Sequence, residues 1–356
     1  MDIISKLHQL AGKYIESLPV GKQFIINTLR LPQGDKFYWD PWILKDGDVY
    51  RLFYLVGSTK ADPFWKEGKI YGAISTDMKQ WKELGIILES DPATAWESGR
   101  MLAGSTYKED GVYYLFYSAA GKDMAIGYEE IALATSLDGL HWQRSSPPEQ
   151  LFSNLEEREL WYGNYATNDF YWRDPYIVKD SQSGKYYMFI CTYVKEVEVG
   201  GFGGCIGLAE ADTIAGPYKL LPPIVAPAVD ETKEWPYHHL ERAQVIYKNG
   251  KYHLFFSCWL YMMNPEWIQK VGKANLTDSS LYYYVSDSIT GPYKPSGEKP
   301  IVRGSETTGL YGINFFPAPD KPEEFIAYGW YRYLYTIKIS PSLFRVYWNN
   351  NLIEIR

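Results

Sequence analysis

Cysteine is scarce in this chain. Cys191, Cys205 and Cys258 are the three among 356 residues, an odd number with no Cys-x-x-Cys spacing. That excludes a disulfide framework and the usual zinc spacings. Cys191 and Cys258 fall inside apolar runs of strand composition, where a buried thiol is expected. Positive charge is also short: 36 Lys and Arg stand against 43 Asp and Glu, a net charge of −7. A phosphate backbone needs a basic face, so nucleic acid is excluded as a partner. No apolar run is long enough to span a bilayer, and no membrane role is expected. The opening stretch, MDIISKLHQLAGKYIESLPVGKQF, is amphipathic and broken by charges, unlike the unbroken apolar segment of a signal peptide. A cytoplasmic location is therefore the expectation. Residues 1–30 carry the chain's main helical periodicity, and a short N-terminal helix is expected there. No dense Asp/Asn loop of the kind calcium needs is present, so neither a metal nor another cofactor is expected. The sequence is silent on oligomeric state.

What the chain has in excess is aromatic residues: 32 Tyr, 15 Phe and 13 Trp, 17% of the total. Rings of this kind pack well on pleated surfaces and suit a β-rich fold. They also suit ligands with flat C–H faces, such as sugars.

A repeat organises these rings. GDVYRLFYLV from Gly47, GVYYLFYSAA from Gly111, GKYYMFICTY from Gly184 and GKYHLFFSCW from Gly250 share one pattern, with a weaker copy, EEFIAYGWYR, from Glu323. Each is a turn followed by a run of strand composition. The starts lie 64, 73, 66 and 73 residues apart. A second element follows the first four: AISTDMKQWKEL, LATSLDGLHWQRS, LAEADTIAGPYKL and YVSDSITGPYKPS. In each, a strand of small residues meets a turn and then an aromatic, as in a hairpin. Five units with room for four strands apiece point to an all-β, five-bladed β-propeller. A pair of β-sandwiches with unrelated hairpins is the alternative, and five matched copies argue against it. Such a ring closes on itself, so residues 1–356 are expected to form one catalytic domain.

Three acids fall at similar places in this repeat. Asp40 lies seven residues before Gly47, Asp174 ten before Gly184, and Glu241 nine before Gly250. Each would sit on the innermost strand of its blade, and the three would converge at the mouth of the central channel. Blade 2 has LAGST there, with Ser105 six residues before Gly111. Taken singly, Asp40 and Asp174 fit turns before proline, and Glu241 fits an ion pair with Arg242. Together they fit the chemistry of glycoside cleavage. One carboxyl protonates the departing oxygen, another attacks the anomeric carbon or activates water, and a third steadies an oxocarbenium-like charge.

At these residues the chain resembles the five-bladed furanosidases, glycoside hydrolase families 32, 43 and 68. WDPW, from Trp39 to Trp42, resembles the nucleophile box of families 32 and 68, and WRDP resembles the box carrying their stabilising Asp. LERAQVIYKNGKYHLFFS and LAGSTYKEDGVYYLFYS are similar to family 68, the levansucrases and inulosucrases, rather than to family 32. The resemblance implies a retaining enzyme on β-fructofuranosides, sucrose-like or fructan, with Asp40 as nucleophile, Glu241 as acid/base and Asp174 as stabiliser. It implies further that Trp39 and Trp42 floor the sugar pocket, Ser105 orients Asp40, and Arg173 reaches a sugar hydroxyl or Asp40's neighbour. Arg242 is either a substrate contact or the structural partner of a pocket acid. Two departures stand out. His239 takes the place of an acid two residues before the acid/base, and Trp259 stands near the place of an arginine. With His238, these imply a different leaving-group site. The competing functions are an inverting arabinofuranosidase or xylosidase of the family 43 type and a non-catalytic carbohydrate-binding propeller.

Overall fold

A computed structural model describes residues 35–355, apart from 59, 62, 125–127, 164–170, 196, 198–200, 228–234, 274–275, 277–278, 298–299, 304–309, 332–335, 339–344 and 350–351. The helix expected over residues 1–30 lies outside the described residues.

Each repeat unit is one antiparallel sheet, and the five sheets are the five blades. Blade 1 runs β1 (Lys36–Asp46), β2 (Val49–Ser58), β3 (Lys69–Ser75), β4 (Lys82–Leu88). Blade 2 runs β5 (Arg100–Glu109), β6 (Val112–Ala120), β7 (Glu130–Ser136), β8 (Gln143–Ser146). Blade 3 runs β9 (Arg173–Lys179), β10 (Tyr186–Tyr193), β11 (Gly204–Ala211), β12 (Lys219–Val225). Blade 4 contains β13 (Glu241–Lys248), β14 (Lys251–Trp259), β15 (Ser279–Ser286), β16 (Lys294–Pro295) and β17 (Val302–Arg303). Blade 5 contains β18 (Leu310–Pro317), β19 (Phe325–Tyr331), β20 (Thr336–Lys338), β21 (Arg345–Asn349) and β22 (Leu352–Ile355). The five first strands touch in the cyclic order β1, β5, β9, β13, β18 and back to β1, which closes the ring. No helix among the described residues is long and apolar enough to cross a membrane.

The repeated sequence maps onto this architecture strand by strand. The five aromatic runs are the second strands, and the small-residue elements are the hairpins joining third and fourth strands. The turns are local chemistry. Asp110-Gly111 and Asn249-Gly250 each link first and second strands in two residues, with φ of 49° and 81° in one, 53° and 77° in the other. Two consecutive positive φ values define the hairpin turn whose twist matches a right-handed sheet.

The tyrosine that opens three of the second strands ties its blade to the one before. Tyr113 donates its hydroxyl to Asp46 of blade 1, and Tyr186 to Glu109 of blade 2. Tyr252 donates to Asp180 of blade 3 at 2.6 Å. Each acid stands at or just past the end of a first strand, so the repeat encodes the buckle between neighbours as well as the blade itself. All three cysteines are buried, and none forms a disulfide among the described residues.

Candidate active site

All five first strands are interrupted by the same irregularity. Pairing with the second strand slips by one residue between Trp39 and Trp42, Met101 and Gly104, Arg173 and Tyr176, Glu241 and Gln244, and Tyr311 and Asn314. Two residues thus oppose one, which is a β-bulge. The bulges are Asp40-Pro41, Leu102-Ala103, Asp174-Pro175, Arg242-Ala243 and Gly312-Ile313. The leading residue has positive φ in four of them: 42° at Asp40, 53° at Asp174, 57° at Arg242 and 58° at Gly312. Non-glycine residues enter that region seldom, Asp more readily than Arg.

This register corrects the alignment of the acids. Asp40 and Asp174 occupy the same bulge position, but Glu241 stands one residue earlier, at the position of Trp39, Arg173 and Tyr311. Counting back from the turns missed the difference because the first strands vary in length. The acids still meet. Asp40, Asp174 and Glu241 line one cavity of about 380 Å³ at the leading ends of the first strands. Trp39, Arg173, His239 and Trp259 line it too, with Glu129, Tyr311 and Trp330.

Three expected site residues do not line this cavity. Trp42, Ser105 and Arg242 line a second cavity, about 260 Å³, further along the same strands beyond the bulges. Trp42 donates its indole N–H to Thr106 Oγ1 at 2.9 Å and stacks on Phe53. It is therefore packed below the pocket and not its floor. Ser105 Oγ has no hydrogen-bond partner among the described residues. It lies past the blade 2 bulge, and Leu102 and Ala103 face the acids instead. Arg242 is buried and spans the ring. Its backbone N–H donates to Asp174 Oδ2 at 2.8 Å, and its Nη2 to Pro41 O at 2.9 Å and Asn314 Oδ1 at 3.0 Å. It joins blade 4 to blades 1, 3 and 5, contacts that fit its structural reading.

Glu241 is held from two sides. Arg173 Nη2 lies 2.8 Å from Glu241 Oε1, and the Tyr311 hydroxyl donates to Oε2. Trp259 stacks on Tyr311, ring centres 3.5 Å apart. Burial works against the Arg173 charge, but Glu241, Glu129 and Asp174 outweigh it and hold the guanidinium well above the usual arginine range. Asp40 opens onto the cavity with protein on its other sides. Burial raises its carboxyl to about 7, Arg242 pulls it down, and Asp174 and Glu241 push it up. Burial, with Arg173 and His238 beside it, holds His239 neutral. Its ring packs 3.9 Å from that of Tyr171, so its neighbours are an aromatic ring and a cation rather than a carboxylate. His238 does not line the cavity and bonds Gly201 O through Nδ1 at 2.5 Å.

Glu129 is a cavity acid that sequence reading missed, as it did Tyr311 and Trp330. It is buried just ahead of β7, accepts a hydrogen bond from Ser118 Oγ at 2.9 Å, and lies 3.7 Å from Arg173 Nη1. Burial raises its carboxyl to about 7, with Arg173 pulling down and Asp174 pushing up. The one signal was the pair Glu129-Glu130 before an apolar strand, where acids are unusual. No group of three His, Cys, Asp or Glu among the described residues is arranged to hold a metal ion.

Comparison with known proteins agrees with this geometry. Residues 40–200 match the Glycosyl hydrolases family 32 N-terminal domain, a span that ends before Glu241. The levansucrase of Erwinia amylovora is 32% identical over 117 residues, 31% of this chain and 24% of that protein. The levansucrase of Rahnella aquatilis is 26% identical over 223 residues, 55% of this chain and 49% of that protein. The matched segments thus span half or less of these two relatives. Among solved structures, an inulosucrase from Halalkalicoccus jeotgali bound to kestose superposes with a TM-score of 0.67 at 20% identity. It covers 92% of this chain and 89% of its own, and shows a shared fold. Its five blades, the match over residues 40–200 and these relatives make the chain similar to the five-bladed furanosidases of glycoside hydrolase families 32, 43 and 68.

Proposed function

We propose that the protein is a retaining glycoside hydrolase or transglycosylase acting on β-fructofuranosides. The observation that carries this reading is the convergence of Asp40, Asp174 and Glu241 from blades 1, 3 and 4 on one cavity. An Asp40 oxygen attacks the anomeric carbon, and the glycosidic C–O bond breaks as its oxygen takes the Glu241 proton. The resulting Glu241 carboxylate takes a proton from water or an acceptor hydroxyl. That oxygen attacks the same carbon and releases Asp40. Asp174 supplies negative charge beside the developing cation and accepts sugar hydroxyls. Arg173 and Tyr311 orient Glu241. The levansucrase relatives and the kestose-bound inulosucrase support sucrose or short fructans as the substrate class.

The test is incubation with sucrose, short fructans and aryl arabinofuranosides, reading both released sugars and transfer products. Turnover of the arabinosides alone would overturn the fructosyl reading. One observation favours the inverting alternative: a carboxyl raised to about 7 suits a general base. Proton NMR of the first-formed anomer separates the two, since a retaining enzyme releases the substrate's own anomer first.

A further inference from the structure

Arg173 poses a problem for the proposed acid. A guanidinium 2.8 Å from a carboxyl favours its ionised form, and a proton donor must hold its proton until the leaving oxygen needs it. Left to itself, Arg173 would turn both arms of its fork onto Glu241, the bidentate geometry that arginine and carboxylate prefer. It does not. One arm, Nη2, meets Glu241 Oε1, while the other, Nη1, faces Glu129 Oε1 at 3.7 Å. Glu129 comes from blade 2, is buried, and is anchored by Ser118 Oγ at 2.9 Å. Three acids thus compete for one cation, since Asp174 also faces Arg173.

We propose that Glu129 is a positioning residue for Glu241: it occupies one arm of Arg173, so that Glu241 meets a shared cation and keeps its proton for the leaving group. The proposal rests on the reading of Glu241 as acid/base. The groups around Glu129 are Arg100 of β5, Ser118 of β6, and Arg173 and Asp174 of β9. Those around Glu241 are Arg173, Tyr311 of β18, Asp40 of β1, and the thiols of Cys258 on β14 and Cys191 on β10. Arg173 is the group common to both acids that can pass the effect of one to the other. Arg100 faces Glu129 and also donates its Nη2 to Tyr128 O at 3.1 Å. The carboxyl of Glu129 is raised to about 7, so its charge develops as pH rises through that range.

The sign follows. Removing the Glu129 charge gives Arg173 to Glu241, which then ionises at lower pH, and the alkaline limb of kcat/KM moves down. Two aryl β-fructofuranosides serve as probes, one leaving as an acidic nitrophenol that needs little protonation, the other as unsubstituted phenol. With Glu129→Gln, the alkaline limb for the phenyl substrate is expected to fall by about one pH unit, with roughly tenfold loss of kcat/KM at pH 8. The nitrophenyl substrate should change by less than about twofold. Glu129→Asp keeps the charge and should keep the limb in place. Ser118→Ala removes only the hydroxyl anchor and should move the limb the same way by less, which covers the case of a Glu129→Gln protein that fails to fold. An unmoved limb, or equal losses on both substrates, would overturn the proposal. Glu241→Ala separates this failure from that of the underlying reading: if it retains the phenyl substrate, Glu241 is not the acid at all.

Discussion

Arg242 donates its backbone N–H to Asp174, so the residue that follows one proposed catalytic acid holds another in place, at 2.8 Å. Its guanidinium completes the set by reaching Pro41 O, the carbonyl just after Asp40. One residue thereby fixes the relative positions of all three acids. Arg242→Met keeps the backbone bond to Asp174 but takes the guanidinium from Pro41 O and Asn314 Oδ1 in a buried site, an expected loss of about 3 kcal/mol seen as a fall in thermal midpoint. Turnover should fall further than stability explains, which kinetics below the melting range will measure.

Gly312 lies directly against Asp40. A Cβ added there would stand 2.9 Å from Asp40 Oδ1, and its φ is +58°. Gly312→Ala therefore strains the backbone by roughly 1 kcal/mol and displaces the carboxylate as well. A large fall in kcat with a small fall in melting temperature is expected. The reverse pattern would mean that the contact does not position Asp40.

Asp40→Ala and Glu241→Ala should each abolish turnover while circular dichroism still reports a folded sheet protein. Substantial residual activity on phenyl or alkyl fructosides in either variant contradicts the assigned roles.

The Asp40 carboxyl, raised to about 7, links activity and stability to pH in opposite senses. A nucleophile must be ionised, so kcat/KM is expected to fall as pH drops through about 7. The folded-state value lies above the unfolded 3.8, so the unfolded chain sheds this proton first as pH rises. Stability is then lost between about pH 4 and 7 and stays lost above. Asp40→Asn removes this burden. Its gain in melting temperature should be near zero at pH 4 and greatest at pH 7 and above.

Tyr252→Phe removes the hydroxyl that bonds Asp180 across the boundary of blades 3 and 4. A loss of about 1–2 kcal/mol is expected with catalysis unchanged, measured by urea unfolding and kinetics together.

The fold was legible because it is built from local rules written five times. Gly and Asn at positive φ, alternating aromatic runs and small-residue hairpins each specify a strand or turn without reference to distant residues. The same repetition made Asp40 and Asp174 stand out as equivalent, which their shared bulge position bears out geometrically. Glu241 was found by the same count but at the wrong register, since the stretch from bulge to turn differs in length between blades while the one-residue slip recurs in all five. That slip also decides which neighbours face the acids: Trp39 lines the cavity, whereas Trp42, three residues on, lines the space below. Ser105 was displaced for the same reason.

Composition and repeat thus determined the blades, their number and the acids worth watching, because these depend on residues close in the chain. Which side chains meet was decided only by the closed ring. Glu129 and Arg173 lie 44 positions apart, and Arg242 and Pro41 lie 201 apart, in different blades. Their contact depends on five bulges being wound to the same depth, a condition on the whole circle that no single segment expresses.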